Sequence, residues 1–348
     1  MKVFLVGAII NSVGLDLIVN TKVTKMRFNF NQASIATAVF AVLSTNAIYA
    51  NASCGGAFFC SLNTDSGVQG SWSKPGIRLD VRAEFIDLDQ LRHGTQKIGP
   101  SGAVDTHDEV RTLNRNILTT LDWNINQDWG VTLRAPFVDR AHQHVFNADD
   151  GAGGVAAEVG KWNFSGIGDI QALARYNFYR DGTSNAGVRF GLKLPTGSIN
   201  KRNAQENAER MLQLGSGSTD TLLGAYYNQR FDRVNWFVQG MWQQAVHERD
   251  HFKPGRRLAL DTGISYQATP DLSLLLQLNL QHKSKDSGAN AEPAESGGRS
   301  VNLSPGFSYR VVTSTQVYGF IQKPIYQDVN GAQLTADWSV AVGLSTQF

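Results

Sequence analysis

The chain has 348 residues, of which 42% are hydrophobic and only 18% are charged. This composition excludes a disordered protein, which would need low hydrophobicity and high net charge. Because 32 Lys and Arg face 30 Asp and Glu, the net charge of +2 also argues against a general nucleic-acid-binding protein. Beyond the first fifty residues no apolar run approaches the roughly 20 residues of a spanning helix, which leaves a large soluble β-protein or a transmembrane barrel.

The N-terminal region predicts export. A first apolar stretch, Val3–Val19, is followed by Met26-Arg27, a second apolar stretch Ala33–Leu43, and small residues up to Ala52. A basic start, an apolar centre and a small-residue cleavage site occur in this order in secretory signals. We therefore predict that residues 1–52 are an export signal and that Met26 is the true start. The alternative is a retained N-terminal anchor.

The two cysteines of the chain, Cys54 and Cys60, lie just beyond the predicted cleavage site. An even pair in an exported protein indicates a disulfide, which here would close a short loop. The spacing differs from the Cys-x-x-Cys-His motif of heme attachment. We predict that residues 53–75 form a periplasmic segment with a structural disulfide; a redox or metal-binding role is the alternative.

From residue 76 to the end of the chain, apolar and polar residues alternate. In the first strand the polar residues are Arg78, Asp80, Arg82 and Glu84, and the residues between them are apolar. This period of two is typical of strands with two different faces. We predict twelve such strands, over residues 76–88, 109–125, 129–143, 167–180, 186–196, 219–231, 233–247, 257–269, 271–284, 299–311, 313–325 and 336–348.

The connections between these strands are alternately long and short. The long ones cover residues 89–108, 144–166, 197–218, 248–256, 285–298 and 326–335, whereas the short ones have one to five residues. An even number of strands with short periplasmic turns and long external loops is typical of bacterial outer-membrane barrels. The sequence therefore predicts an all-β fold, a 12-stranded antiparallel transmembrane β-barrel over residues 76–348, in the bacterial outer membrane with both termini on the periplasmic side.

The last strand resembles the C-terminal targeting strand that the outer-membrane insertion machinery recognises. It ends in an aromatic residue and carries apolar groups at alternate positions, with Thr346 as a mild departure. The barrel insertion machinery and outer-membrane lipid are therefore predicted partners. The residues assigned to this signal are Trp338, Val340, Val342, Leu344 and Phe348.

Several turn and glycine motifs resemble a known family. They are Gly166-Ile-Gly-Asp169, Arg175-Tyr176, Gly191-Leu-Lys-Leu-Pro-Thr-Gly197 and the segment from Gly297-Gly298 to Leu303-Ser-Pro-Gly306. They are similar to motifs of the outer-membrane channels associated with the meta-pathway of phenol degradation, and the resemblance covers residues 70–348. It implies an outer-membrane barrel that transports solutes, often hydrophobic or aromatic ones. The shared motifs are structural, so no catalytic residue is carried over.

The polar faces of the strands, turned inward, would line a lumen that carries both signs of charge with more cations than anions. Rings of basic side chains favour anions in pores. We therefore predict a passive channel for small solutes, with aromatic or organic-anion compounds as candidates. The longest loops, 144–166 and 197–218, could fold inward as a constriction. The residues predicted to line the pore are Arg78, Asp80, Arg82, Glu84, Arg134, Asp169, Arg175, Arg189, Lys193, Gln239, Arg257, Asp261, Gln277 and Asn279; Asp337 is a further inward acid.

Three alternatives remain open. The inward charges could pair across a narrow lumen and plug it, which would make the barrel a structural or binding protein. His142 and His144 share a strand face near an external loop and are weak candidates for metal ligands. His282-Lys283-Ser284 is similar to the His-x-Ser pair of outer-membrane phospholipases, but the residues after it differ and no third catalytic group can be named. We predict no enzyme, no cofactor and no nucleic-acid partner, and a small-molecule solute as the ligand.

Overall fold

The structure is a computed structural model and describes the backbone of three short strands between residues 7 and 25, and residues 75–103, 106–152, 154–204 and 207–348. The chain divides into two units, Met1–Ile48 and Tyr49–Phe348. In the first unit, β1 (Gly7–Asn11), β2 (Gly14–Val19) and β3 (Lys22–Lys25) form an antiparallel sheet. The predicted cleavage site and the predicted Cys54–Cys60 disulfide lie outside the described residues.

The second unit is a closed antiparallel barrel. Consecutive strands of the ring pair with each other, and the last pairs with the first. A short 3-10 helix, Pro293–Glu295, is inserted before the penultimate strand. The strands are β4 (Gly76–Gly94), β5 (Gln96–Lys97), β6 (Thr106–Asn124), β7 (Trp129–Asp149), β8 (Val155–Ile167), β9 (Ile170–Arg180), β10 (Ser184–Leu194), β11 (Thr219–Phe231), β12 (Val234–His247), β13 (Arg257–Gln267), β14 (Leu272–Lys283), β15 (Gly298–Val312) and β16 (Thr315–Gln347).

Eleven strand elements form the ring, and β5 and β8 pair outside it. The last element, β16, is folded back on itself: residues 315–329 pair with β15 and residues 329–347 pair with β4, both antiparallel. The reversal is at Gly331, which has a φ of +59°, a conformation that favours glycine. Counting the two arms of β16 separately, twelve segments cross the barrel, and the predicted 12-stranded antiparallel barrel is confirmed.

The barrel is apolar on the outside and polar on the inside. Outward side chains such as Leu133, Phe178 and Leu274 are 44%, 60% and 51% exposed, whereas the inward Gln277 and Asn279 are fully buried. A water-soluble protein rarely exposes apolar area on this scale, so the outer face is built for contact with lipid. Among the described residues, no helix is both long enough and apolar enough to cross a membrane.

Aromatic side chains lie on the outer surface towards both ends of the strands. At the end with the short turns, Trp129 contacts Tyr176 with ring centroids 4.7 Å apart. Towards the opposite end, Phe85 stacks on Trp338 at 6.2 Å. Such aromatic girdles are typical of the two membrane–water interfaces of transmembrane barrels, and they bound the apolar band between them.

The predicted loop 144–166 is mostly strand. Its residues extend β7 to Asp149 and form β8, which pairs with the upper half of β7. The lower half of β7 pairs with β9 instead. Two residues outside any strand, Gly168 and Asp169, connect β8 to β9. The Gly168 N–H donates to the Pro136 carbonyl at 2.9 Å. The first of the two predicted inward loops is therefore a hairpin that prolongs the barrel wall.

Candidate functional site

The interior of the barrel is the candidate site. Alternation places the predicted pore-lining residues of the strands on the face opposite the exposed apolar side chains, and the remaining one, Asp169, lies between β8 and β9. Seven of the predicted residues are at most 6% exposed: Asp80, Glu84, Asp169, Lys193, Asp261, Gln277 and Asn279. The further acid Asp337 is placed differently. Asp337 and Trp338 together stand opposite Asp87, between the pairs Ala336↔Leu88 and Ser339↔Ile86. This bulge turns Asp337 to the outer face, where it forms an ion pair with Lys97 at 3.0 Å.

Near the short turns, inward charges contact oppositely charged or polar side chains of nearby strands. Arg78 of β4 contacts Asp122 of β6 at 2.5 Å, and the Thr132 hydroxyl of β7 donates to the same carboxylate. Arg175 of β9 donates to the side-chain oxygen of Asn124. Opposite charges on neighbouring strands stabilise each other and fix the register of the sheet.

The next layer is centred on the seam where the barrel closes. The Tyr318 hydroxyl donates to Oδ1 of Asp80 at 2.9 Å. On the same strand as Asp80, Arg82 contacts Glu84 at 2.5 Å, and Asn116 of β6 donates to Glu84. These buried carboxylates therefore all have a hydrogen-bonding or cationic neighbour, as buried charges require.

A chain of hydrogen bonds runs around half of the inner wall at mid-height. Arg189 of β10 donates to Gln239 of β12 at 2.8 Å, and Gln239 donates to Asp261 of β13 at 3.1 Å. Asn279 of β14 also donates to Asp261, at 2.9 Å, and accepts from Ser304 of β15 at 2.8 Å. Five strands, β10, β12, β13, β14 and β15, thus each contribute a polar side chain to a continuous wall network.

Above this network, Lys193 lies between two carboxylates. Its ammonium is 3.3 Å from Asp169 and 3.0 Å from Asp220, and it donates to Ser218 at 3.1 Å. Asp169 is one of the two residues that connect β8 to β9, whereas Lys193 and Asp220 lie on β10 and β11. The glycine-rich segments of the sequence therefore bring three charges together under the long loops.

The loop 195–218 folds into the mouth of the barrel, as predicted for residues 197–218. Arg140, on the inner face of β7, donates to the carbonyls of Leu212 and Gln213. Leu212 and Ala208 pack against Trp162 of β8. The loop thus covers the inner face of the β7–β8 extension.

Sequence reasoning missed an apolar part of the interior. Phe237, Leu275, Tyr318 and Phe320 form a buried cluster on the inner face. The strand 313–325 has Tyr and Gly on both faces, which made its inward side ambiguous. Gln322 identifies the inward face of this strand, because it alternates in step with Tyr318 and Phe320 and is polar. In the structure all three side chains are buried.

The two candidate metal ligands lie inside the upper barrel beside an aromatic ring. His142 and His144 are 2% and 5% exposed, with ring centroids 5.7 Å apart, and His144 is 4.3 Å from the Trp162 ring. Thr112 is hydrogen-bonded to Nδ1 of His142 at 2.7 Å. In the part of the chain that the structure describes, no three side chains converge as ligands for a metal ion.

The phospholipase-like motif lies at the upper end of β14. His282 is exposed on the outer face, whereas Lys283 points inward and forms a buried ion pair with Asp286 at 2.5 Å. The Ser284 N–H donates to the Arg256 carbonyl at 2.9 Å. Within the described residues, no hydrogen bond connects His282 to Ser284.

A lipid-facing apolar surface around a closed ring of strands defines an outer-membrane β-barrel, and the protein is located in the bacterial outer membrane. Residues 118–336, more than half of the chain, match the family described as "Putative MetA-pathway of phenol degradation". The chain belongs to this family.

The fold is similar to that of solved outer-membrane proteins. The structure of an outer-membrane channel from Pseudomonas putida F1 matches with a TM-score of 0.59 and 14% identity, over 82% of this chain and 100% of that one. A NanC porin matches with a TM-score of 0.46 and 12% identity, over 78% and 100%. The CymD monoaromatic hydrocarbon channel matches at 0.39 and 9%, over 84% and 95%. No curated protein sequence matches the chain.

Proposed function

We propose that the protein is a passive outer-membrane channel for small solutes. The observation that carries this proposal is the inner face of the barrel, which bears charged and amide side chains at every height. If the side chains only filled the interior, apolar residues would give a barrel of equal or greater stability, because buried ions lose their hydration and need well-placed partners. The membership of the family and the similarity of the fold to an outer-membrane channel support the same function.

Organic anions and aromatic compounds are the proposed solutes. Cations outnumber anions among the inward residues of the proposed pore. One of them, Arg189, lies over the ring of Tyr226 with 4.8 Å between its guanidinium carbon and the ring centroid. A guanidinium stacked on an aromatic ring offers both charge and a flat apolar surface. This combination suits a ring-bearing carboxylate better than a neutral sugar.

Liposome swelling tests the proposal. Vesicles that contain the purified protein are diluted into iso-osmotic benzoate, phenol, acetate or arabinose, and the rate of swelling is followed by light scattering. We expect the protein to speed the entry of benzoate and phenol, relative to protein-free vesicles, more than it speeds the entry of arabinose, which is of similar size. Swelling equal to that of protein-free vesicles for all four solutes would refute the channel.

A closed structural barrel is the second candidate. It is favoured by the burial of the inner wall, where Asn114, Asn116, Gln277 and Ser304 are not exposed. In this case the charges would stabilise one another across a filled interior. Planar-bilayer recordings separate the two functions, since a filled barrel gives no discrete current steps in 1 M KCl, whereas a channel does.

A further inference from the structure

We propose that a chain of buried charges on the inner wall anchors the external loops across the mouth of the barrel and so sets the size of the entrance. The second part rests on the proposed channel function. We call this group the charged arc; its members are Asp169, Lys193, Asp220, Arg257, Lys283 and Asp286.

Signs alternate along the charged arc. Lys193 bridges Asp169 and Asp220, and at the other end Lys283 contacts Asp286 at 2.5 Å. Arg257 of β13 lies between these groups and interacts electrostatically with both Asp220 and Asp286. Three anions and three cations leave no net charge, so each charge is compensated only while its neighbours stay in place.

Two carboxylates of the charged arc hold loop backbone directly. Asp169 accepts hydrogen bonds from the N–H groups of Gly197 at 3.1 Å and Ser216 at 2.9 Å, at the two ends of the loop 195–218. Asp286 accepts from the N–H of Gly255 at 2.6 Å, in the loop 248–256. Charge-assisted hydrogen bonds of this kind are about twice as strong as neutral ones.

The third loop, 284–297, is fixed by the same residue. The backbone N–H of Asp286 donates to the Ser296 hydroxyl at 2.9 Å, which closes this loop on itself. Lys253 and Ser287 exchange two backbone hydrogen bonds, at 2.7 and 3.0 Å, and so join it to the loop 248–256. The three loops are therefore connected to the wall through the charged arc.

A contact between loops completes the arrangement. Arg210 of the loop 195–218 lies over the ring of the fully buried Phe252, 4.9 Å from its centroid, and is 3.5 Å from Asp250. Its guanidinium also donates to the Ser216 carbonyl at 3.1 Å. Because this contact joins loops that the charged arc holds at separate points, loss of one anchor should loosen its neighbours.

Limited proteolysis with trypsin tests the anchoring, because the loops carry their own cleavage sites. Asp169→Asn should loosen the backbone at Lys201 and Arg202, and Asp286→Asn should loosen it at Arg249 and Arg256. We expect trypsin to cleave each loop of the folded barrel at least tenfold faster in its variant than in the wild type. The control Asp328→Asn removes an acid that pairs with Arg299 on the outer surface at 2.7 Å, and its loops should be cleaved at the wild-type rate.

Cleavage at wild-type rates in both loop variants would overturn the proposal. Heat-modifiable gel mobility shows whether each variant is folded. If a charge variant does not fold, Ser216→Ala replaces it; this change removes a hydroxyl donor to Asp169 at 2.7 Å and keeps all charges, and about threefold faster cleavage is expected. Unchanged cleavage of that variant would contradict the anchoring in the same way.

Solute entry separates this proposal from the channel itself. If the entrance is set by the charged arc, liposomes with Asp169→Asn should admit larger carboxylates than those with wild-type protein. Faster cleavage with an unchanged size limit would refute the role in setting the entrance. Faster cleavage in a barrel that admits no solute, in wild type and variant alike, would refute the channel and support the anchoring alone.

Discussion

Tyr318 connects three strands at the seam of the barrel. Its hydroxyl donates to Asp80 of β4, and its ring lies directly over Gly343 in the second arm of β16, where a Cβ atom would overlap the ring. The glycine thus lets a large aromatic side chain lie flat against the wall. This contact helps to hold the last segment of the chain to the first, which is the pairing that closes the ring.

Gly343→Val should therefore weaken barrel closure. The new side chain would displace the Tyr318 ring and disturb its hydrogen bond to Asp80, and overpacking of this kind costs about 1–3 kcal/mol. Urea unfolding in lipid vesicles, followed by tryptophan fluorescence, measures the loss. The matched control is Gly99→Val, since no atom lies within 4 Å of a Cβ built at Gly99; an equal loss in both variants would contradict the role of the contact.

The architecture could be predicted from the sequence because alternation and loop length are local properties. The predicted strand 257–269 is found as Arg257–Gln267, and 219–231 agrees at both ends. The predicted long loop 326–335 is wrong, because its residues prolong the two predicted strands on either side and reverse at a tight turn around Gly331 to form the single element β16. What the alternation could not show is β8, because its residues Val155–Ile167 have no regular polar face and are stabilised by pairing with β7.

The candidate site could be predicted as a list of inward residues, but not as a set of contacts. The alternation of residues along β10 places Lys193 on the inner face. Its partner Asp169, however, lies between β8 and β9, outside any strand. Asp337 shows the opposite failure, because one bulge residue reverses the face of its side chain. Contacts between distant loops, such as Arg210 with Phe252, leave no periodic signal at all.

Arg189→Gln should reduce anion preference in the proposed channel. The change removes a positive charge from the inner wall, where Arg189 donates to Gln239, and keeps a polar side chain there. Reversal potentials under a KCl gradient should shift towards cation selectivity, with the single-channel conductance changed by less than twofold. Arg299→Gln is the control, because Arg299 is 64% exposed on the outer surface. An equal shift in both variants would show that overall charge, rather than this site, sets selectivity.

Phe348→Ser should slow membrane assembly more than it lowers stability. The Phe348 side chain is 78% exposed, and its contribution to the folded barrel is the backbone pair with Ile77, whose carbonyl accepts from the Phe348 N–H at 2.8 Å. Serine keeps that hydrogen bond but removes the terminal aromatic group of the predicted targeting strand.

Pulse-chase measurement of the heat-modifiable form in cells checks the effect on assembly. We expect at least a threefold slower rate for Phe348→Ser and little change for Phe178→Ser, which removes an outward aromatic residue at 60% exposure within β9. Equal rates in wild type and Phe348→Ser would contradict the targeting role of the last strand.

We expect Glu109 to make the stability of the upper barrel sensitive to pH. Glu109 lies in β6, above the apolar band. Burial raises the pKa of its carboxyl from 4.5 to about 7, and the negative charges of Glu292 and Glu295 act in the same direction. A hydrogen bond from the Leu334 backbone opposes this shift. The folded state therefore prefers the protonated carboxyl. Its stabilising contribution is fully present below pH 4.5 and is lost as the pH rises through 7.

We expect the wild type to lose about 1–2 kcal/mol relative to Glu109→Gln between pH 4.5 and pH 8, less than the full linkage value because the carboxyl is partly exposed to solvent. Urea unfolding of both proteins at a series of pH values measures this difference. Subtracting the two free energies of unfolding at each pH removes the effect of all other titrating groups. Glu158→Gln is the control, since Glu158 is an exposed residue of the β8 extension. A difference between wild type and Glu109→Gln that does not change with pH would show that the folded barrel does not raise the pKa of Glu109.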